Sequence, residues 1–334
     1  MVQSPGFFEA FHRLRVLVIG DVMIDRYLSG AVDRISPEAP VPVVHLHNRD
    51  SRLGGAANVA LNLSALGAKP YLCTVVGDDE HGEQIAHLLP EAGLSNRGLV
   101  RSGERTTTVK TRVLAASQQL LRVDQEDTHD LSEQEAGHFL ATVRGILEQR
   151  NIHAILFQDY NKGVLSETVI REVILEAVKR DIPTVVDPKY RNFWAYKRAT
   201  LFKPNLKEIR AQVPMQVEPT LESLLEANAY IHRKLDNPIT LITLSDKGLF
   251  ISDHREHHLL PTEARAIADV CGAGDTVVSV AALGLAQQLP IREIAALANL
   301  AGGQVCERVG VVPVDRAQLM QEFQSWKARE QVKR

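Results

Sequence analysis

Cysteine is scarce in this chain. Only Cys73, Cys271 and Cys306 occur among 334 residues, widely separated and in no metal-ligand spacing. That excludes a disulfide scaffold and points to free thiols in a reducing compartment. Aromatic residues make up 5%, too few for an extended base-stacking platform. Neither sign of charge dominates: 38 Lys and Arg against 41 Asp and Glu leave a formal net charge of -3. Nothing in that balance draws nucleic acid or a membrane surface. No apolar run approaches the roughly 20 residues that span a bilayer, and the first residues lack a basic region followed by an apolar core. No repeat or low-complexity tract is present, although the charged stretch Lys327 to Arg334 is expected to fray, residues 331–334 most of all. What remains, 45% apolar and 24% charged, is the profile of a cytoplasmic globular protein of one large domain or two ordinary ones.

Short apolar strands alternate with helical patterns along the chain. Arg15 to Gly20, Pro70 to Val76, Ala154 to Phe157, Thr184 to Val186 and Ile239 to Leu244 read as strands. Ala56 to Leu66, Glu80 to Leu89, Ser166 to Lys179 and Ala273 to Ala286 read as helices, the first stopped by Gly67. This alternation predicts an α/β fold: three layers, with a mostly parallel sheet covered by helices on both faces. Ligands in such sheets bind beyond the carboxyl ends of the strands. Two segments break the pattern. Tyr27 to His47 and Thr106 to Val123 alternate as half-exposed ribbons with no helix between. They predict a small antiparallel sheet, contributed by about 27–47 and 104–124, either a flap over a ligand or a pair of surface hairpins.

The sharpest local signal is Asp269-Val270-Cys271-Gly272-Ala273-Gly274-Asp275, opening a helix of small residues. Glycines leave backbone N–H groups exposed and a helix start carries partial positive charge, a combination suited to phosphate. Asp275 in the first turn is positioned to take a proton from an attacking hydroxyl. A glycine turn with an acidic cap reads the same way. A second glycine-led helix start, Gly54-Gly55-Ala56-Ala57-Asn58, allows close approach of a small polar ligand, with Asn58 able to donate and accept.

Together the two motifs resemble the ribokinase-like (phosphofructokinase-B-type) carbohydrate kinases, and the resemblance covers nearly the whole chain, 1–330, as one kinase domain. In that family the late motif reads D-T-x-G-A-G-D; Val270 stands here for the Thr, while the glycines and the aspartate are intact. The resemblance implies ATP and Mg²⁺ as cofactors, Asp275 as catalytic base, and the N–H groups of Gly272, Ala273 and Gly274 as the hole for the transferred phosphoryl group. It assigns Asp25, Gly54, Gly55 and Asn58 to the sugar. Asn205, Leu206, Lys207 and Glu208 match the family's N-x-x-E element, Glu208 holding Mg²⁺ through water, though the spacing is equally that of a capping box. Thr243, Ser245, Lys247 and Gly248 match the turn bordering the nucleotide, which a plain hairpin would also produce, and Asn299 joins that set. Flap sheets in relatives pair across a dimer, so a homodimer through the lid is implied as well.

Arg34 to Val43 (RISPEAPVPV), Asp159 to Val164 (DYNKGV), Asp187-Pro188-Lys189, Lys110-Thr111-Arg112 and Arg122 to Glu126 carry a narrower likeness. They look like the D-glycero-β-D-manno-heptose 7-phosphate kinases of lipopolysaccharide precursor synthesis, which phosphorylate the anomeric hydroxyl. A phosphorylated sugar needs fixed cations, for which Lys110, Arg112, Lys162 and Lys189 are candidates, with Gln125, Glu126 and Asp159 for polar contacts. Some such kinases are fused to an adenylyltransferase. No H-x-G-H element occurs and His257-His258 reads as part of a charged loop, so that second unit is not expected in this sequence. Gly20 opens no G-x-G-x-x-G run, which argues against a dehydrogenase.

Overall fold

The structure is a computed structural model that describes residues 6–115 and 118–332. In chain order the strands are β1 (Arg15–Gly20), β2 (Val22–Ile35), β3 (Pro42–Gly55), β4 (Lys69–Gly77), β5 (Gly98–Ser102), β6 (Val109–Ala115), β7 (Gln118–Gln125), β8 (Ala154–Gln158), β9 (Thr184–Asp187), β10 (Leu201–Phe202), β11 (Ile239–Thr243), β12 (Leu249–Ser252) and β13 (His257–Leu260). Nine of them form one sheet in the order β13-β12-β11-β10-β9-β8-β1-β4-β5. From β11 to β5 every neighbour is parallel, whereas β12 and β13 run antiparallel at one edge.

The period-two alternation of β1 accounts for the three layers. Val16 and Val18 point into one apolar cluster, with the helices Ala56–Ala65, Ala273–Ala286 and Ile291–Val305. Leu17 and Ile19 point into the other, with the helices Glu133–Gln149, Glu167–Lys179 and Leu221–Leu235. A strand buried on both faces is apolar along its buried stretch, as β1 is from Val16 to Ile19. The small residues of Ala273–Ala286 bring that helix against both Ala56–Ala65 and Ile291–Val305.

The second sheet has the order β3-β2-β6-β7 and is larger than the sequence pattern suggested. β2 begins at Val22, directly after β1, and β3 continues to Gly55, where the next helix starts. Two antiparallel hairpins make up the sheet, but they join through a parallel β2–β6 pairing that sets Asp25 opposite Lys110 and Tyr27 opposite Arg112. Residues 104–108 belong to no strand.

Two further expectations are corrected. His257 and His258 lie in β13 rather than in a loop, because β12 offers a free edge for pairing. The charged segment from Lys327 is helical as far as Val332 instead of frayed. Lys327 pairs with Glu293 at 2.8 Å and its ammonium lies 5.2 Å from the Phe323 ring centroid, which anchors this last stretch; residues 333–334 lie outside the described residues. Cys73 and Cys306 are buried free thiols, as their apolar surroundings require. Among the described residues no helix is long and apolar enough to cross a membrane.

Candidate active site

The carboxyl ends of β1, β8 and β9 each finish in polar residues: Asp21 after β1, Gln158 to Tyr160 at the end of β8, and Asp187 at the end of β9. The helix beginning at Ala273 aims its first turn into that row. Gly272 caps it in the left-handed region at φ 78°, and a Cβ there would stand 3.2 Å from the Asn58 amide nitrogen. Only glycine serves both demands. In this first turn the Ala273 N–H makes a long 3.4 Å bond to the Val270 carbonyl, and among the described residues the Gly274 and Asp275 N–H groups meet no main-chain carbonyl.

Asp275 is buried at 5% exposure and accepts three hydrogen bonds. Its Oδ1 accepts from Tyr160 Oη at 2.8 Å and Gln158 Nε2 at 3.1 Å, and its Oδ2 accepts from Asn58 Nδ2 at 2.6 Å. Burial raises its pKa to about 6, and the negative charge of Asp187 pushes the same way. The Asn58 and Tyr160 hydrogen bonds and the Lys189 charge work against them. The site thus holds a carboxylate that is ionised near neutrality and can take up a proton. Beside it, Lys203 pairs with Asp187 at 3.1 Å, and an added Cβ on Gly274 would stand 3.9 Å from that ammonium.

Asp25, 5% exposed, faces this centre from β2. Arg112 on β6 donates to its Oδ1 at 2.5 Å, and Gly54 lies so close that a Cβ would fall 2.2 Å from its Oδ2. Gly55, at φ 62°, packs on the Asp21 carbonyl. Lys110 and Lys162 converge on Glu126 at 3.0 and 2.7 Å, and Lys110 also reaches Asp124. Lys189 pairs with Glu208 at 2.8 Å. Each of the four cations considered for a sugar phosphate, Lys110, Arg112, Lys162 and Lys189, is therefore held by an acid. Gln125 is exposed at the end of β7.

Asp159 departs from its expected role. Its side chain is 1% exposed and turned inward, accepting from Tyr196 Oη at 2.8 Å and the Asn161 N–H at 2.7 Å, so it faces the core and not a ligand. Burial and the nearby Asp21 charge raise its pKa to about 7. Asp21, which sequence reasoning missed, accepts from the N–H groups of Tyr160, Lys162 and Val164 and so shapes the 159–164 loop. Gln158, Tyr160, Asp187 and Lys203 were missed too. Their signal was available: each lies at the end of an apolar strand run or within two residues beyond it, where ligands gather in such sheets.

On the other side of the Gly272–Gly274 turn lies a cavity of about 880 Å³. Asn205, Leu206, Lys207, Thr243, Ser245, Gly248 and Asn299 line it, together with Ala273 and Gly274. Lys247 and Glu208 are not among its lining residues. Asn205 and Glu208 form a complete capping box, each side chain accepting from the other's N–H at 2.8 Å. The turn at Thr243–Gly248 joins β11 to the antiparallel β12, so it is a hairpin and a cavity wall at once.

A family model described as pfkB family carbohydrate kinase matches residues 13–316. The chain belongs to the pfkB family. It is a carbohydrate kinase, and its fold is that of the ribokinase-like enzymes. The phosphofructokinase-2 of Escherichia coli, solved in complex with potassium, superposes with a TM-score of 0.76 at 18% identity, over 94% of this chain and 99% of that one. Arabidopsis thaliana ribokinase, solved with ribose and ATP, superposes at 0.72 and 19% identity, over 93% and 98%. Among curated proteins, this pfkB-family kinase is 41% identical to the bifunctional protein HldE of Methylobacillus flagellatus over 93% of the chain, and 42% identical to that of Citrifermentans bemidjiense over 96%. It spans 63% and 65% of their lengths.

Proposed function

We propose that this kinase transfers the γ-phosphoryl group of ATP to the anomeric hydroxyl of D-glycero-β-D-manno-heptose 7-phosphate, giving the 1,7-bisphosphate. The observation that carries the reading is Asp275: a buried carboxylate with pKa about 6 at a glycine-capped helix start, between a large cavity on one side and Asp25, Gly54 and Arg112 on the other. Similarity to HldE over nearly the whole chain, together with the cations around Glu126, favours a phosphorylated heptose among sugars.

In this reading ATP occupies the cavity lined by Asn205, Thr243 and Asn299, its γ-phosphate at the Gly272–Gly274 turn. The sugar lies under the second sheet, hydroxyls toward Asp25 and Asn58. Oδ1 of Asp275 already accepts two hydrogen bonds and Oδ2 only one, so Oδ2 is the oxygen with room for the substrate proton. As the hydroxyl oxygen bonds to phosphorus and the bond to the ADP oxygen breaks, that proton passes to Asp275. The N–H groups of Gly272, Ala273 and Gly274 face the growing charge.

Among the described residues no group of three or more His, Cys, Asp or Glu could cage a metal ion. Each oxygen of Glu208 has one donor, from Lys189 and from the Asn205 N–H, which leaves lone pairs for water. These residues fit a Mg²⁺ carried by the nucleotide phosphates, with Glu208 holding its waters; bound there it would neutralise phosphate charge. The second sheet exposes Val32, Ile35, Leu46, Leu121 and Val123, an apolar face that supports a homodimer through the lid.

The test is ADP release with ATP and Mg²⁺, comparing the heptose 7-phosphate with ribose and fructose 6-phosphate. Preference for the heptose phosphate is the expected result. Faster turnover of another sugar would overturn the substrate assignment and leave the role of Asp275 standing.

A further inference from the structure

One wall of the large cavity is irregular chain. Thr262, Glu263, Ala264, Arg265 and Ile267 line it, between the end of β13 and the Asp269–Gly274 turn. The strap is tied at both ends. Asn299 Nδ2 donates to the Pro261 carbonyl at 2.8 Å, and the N–H groups of Ala268 and Asp269 donate to the Cys306 carbonyl at 2.8 and 3.1 Å. Between those ties, among the described residues, positions 263–267 form no main-chain hydrogen bond. Unpaired backbone of this kind has no conformation of its own, so side chains must hold it.

Arg265 supplies that hold. Its side chain is only 7% exposed, and its guanidinium meets Glu322 in a two-point contact, Nη1 to Oε1 at 3.2 Å and Nη2 to Oε2 at 2.5 Å. Glu307 Oε2 also lies 3.4 Å from Nη1. Gln318, one turn earlier on the helix Arg316–Val332, donates to Glu322 Oε1 at 2.8 Å and fixes the carboxylate. The arginine stem lies across Gly303, where any Cβ would stand 2.8 Å from Nε. Two-point arginine–carboxylate pairing fixes direction as well as distance, and a largely desolvated pair is less screened than a surface one. A second contact, Arg329 to Glu263, ties the same helix to the same strap but is exposed, so it contributes little.

We propose that Glu322, on a helix that does not line the cavity, is a positioning residue for nucleotide: through Arg265 it fixes the strap that walls the nucleotide site. The inference rests on reading that cavity as the ATP site. It assigns the Arg316–Val332 helix a role in nucleotide affinity beyond covering the core.

Calorimetric binding of ADP to the full chain, followed by KM for ATP and for the sugar phosphate, tests it. Glu322→Ala is expected to raise the ADP Kd and the ATP KM about tenfold, the loss of one charge-assisted pair, with kcat and sugar KM unchanged. Glu322→Gln, which keeps an acceptor oxygen but not the charge, is expected to fall between. Lys327→Gln, on the same helix as Glu322, breaks the ion pair to Glu293 of a neighbouring helix without touching the strap and is expected to leave nucleotide binding as in the parent. Unchanged ADP binding in Glu322→Ala would overturn the proposal, as would equal weakening by Lys327→Gln. A parent protein that binds no nucleotide would instead remove the reading of the cavity.

Discussion

The side-chain amide of Asn58 donates to Asp275 at 2.6 Å across 217 positions of sequence. Two glycine-led helix starts, one early and one late in the chain, meet at that bond. Asn58 is itself held by Asn62, whose Oδ1 accepts from Thr276 Oγ1 at 3.2 Å and from the Val314 N–H. The Asp275 carboxylate is therefore oriented by a buried polar network in which each partner limits the freedom of the next.

Replacing Asp275 by Asn removes the proton acceptor and leaves the shape. The expected outcome is a fall in kcat of about a thousandfold, within the range for a positioned general base. ATP and sugar binding should change little by comparison. Steady-state ADP release together with calorimetric ADP binding separates the two.

The activity of the parent should decline as pH falls through about 6, where Asp275 becomes protonated. Tyr160→Phe deletes a hydrogen bond that stabilises the carboxylate, so the Asp275 pKa rises and the acid limb moves to higher pH. A kcat profile between pH 5 and 9 reads this. An unmoved limb would show that another group controls it.

Gly54→Ala would drive a methyl group into the Asp25 carboxylate, since the added carbon would start 2.2 Å from Oδ2. Asp25 then leaves Arg112 or β3 shifts. The expected result is a sugar KM raised about tenfold with the ATP KM unaltered. A rise in both would mean that the change spreads beyond the sugar side.

Asp159 links pH to stability. Its folded pKa is raised to about 7 from an ordinary 3.8, so between those values the folded state holds more proton than the unfolded one. Stability from this group is present at low pH and is lost as pH rises through about 7. Asp159→Asn lacks that titration. Its stability relative to the parent should therefore increase from pH 4 to 7 and level off above 8, measured by urea unfolding.

Local order was legible in the sequence wherever a short-range cause produced it. The helix Ala273–Ala286 appeared at its stated bounds because glycines stop chains and small residues pack at helical spacing. β1 and the strands beside it were visible as apolar runs because they are buried on both faces. The two segments of the second sheet stood out by period-two alternation, and the GAGD turn marked the helix start that carries Asp275. Family likeness added the expectation of ligand roles that no periodicity carries.

Tertiary structure decided which groups meet. Nothing near Asp159 in sequence distinguishes a carboxylate turned toward Tyr196 from one turned toward a sugar; the burial of β8 and the reach of Tyr196 decide it. Asp21 gathers the 159–164 loop only because β1 and β8 are parallel neighbours that end at the same level. The parallel β2–β6 pairing, the strand at His257–His258 and the strap held by Glu322 have the same origin. Each depends on register and long-range approach, which are properties of the folded chain, whereas helix starts and strand periods are written in a few consecutive residues.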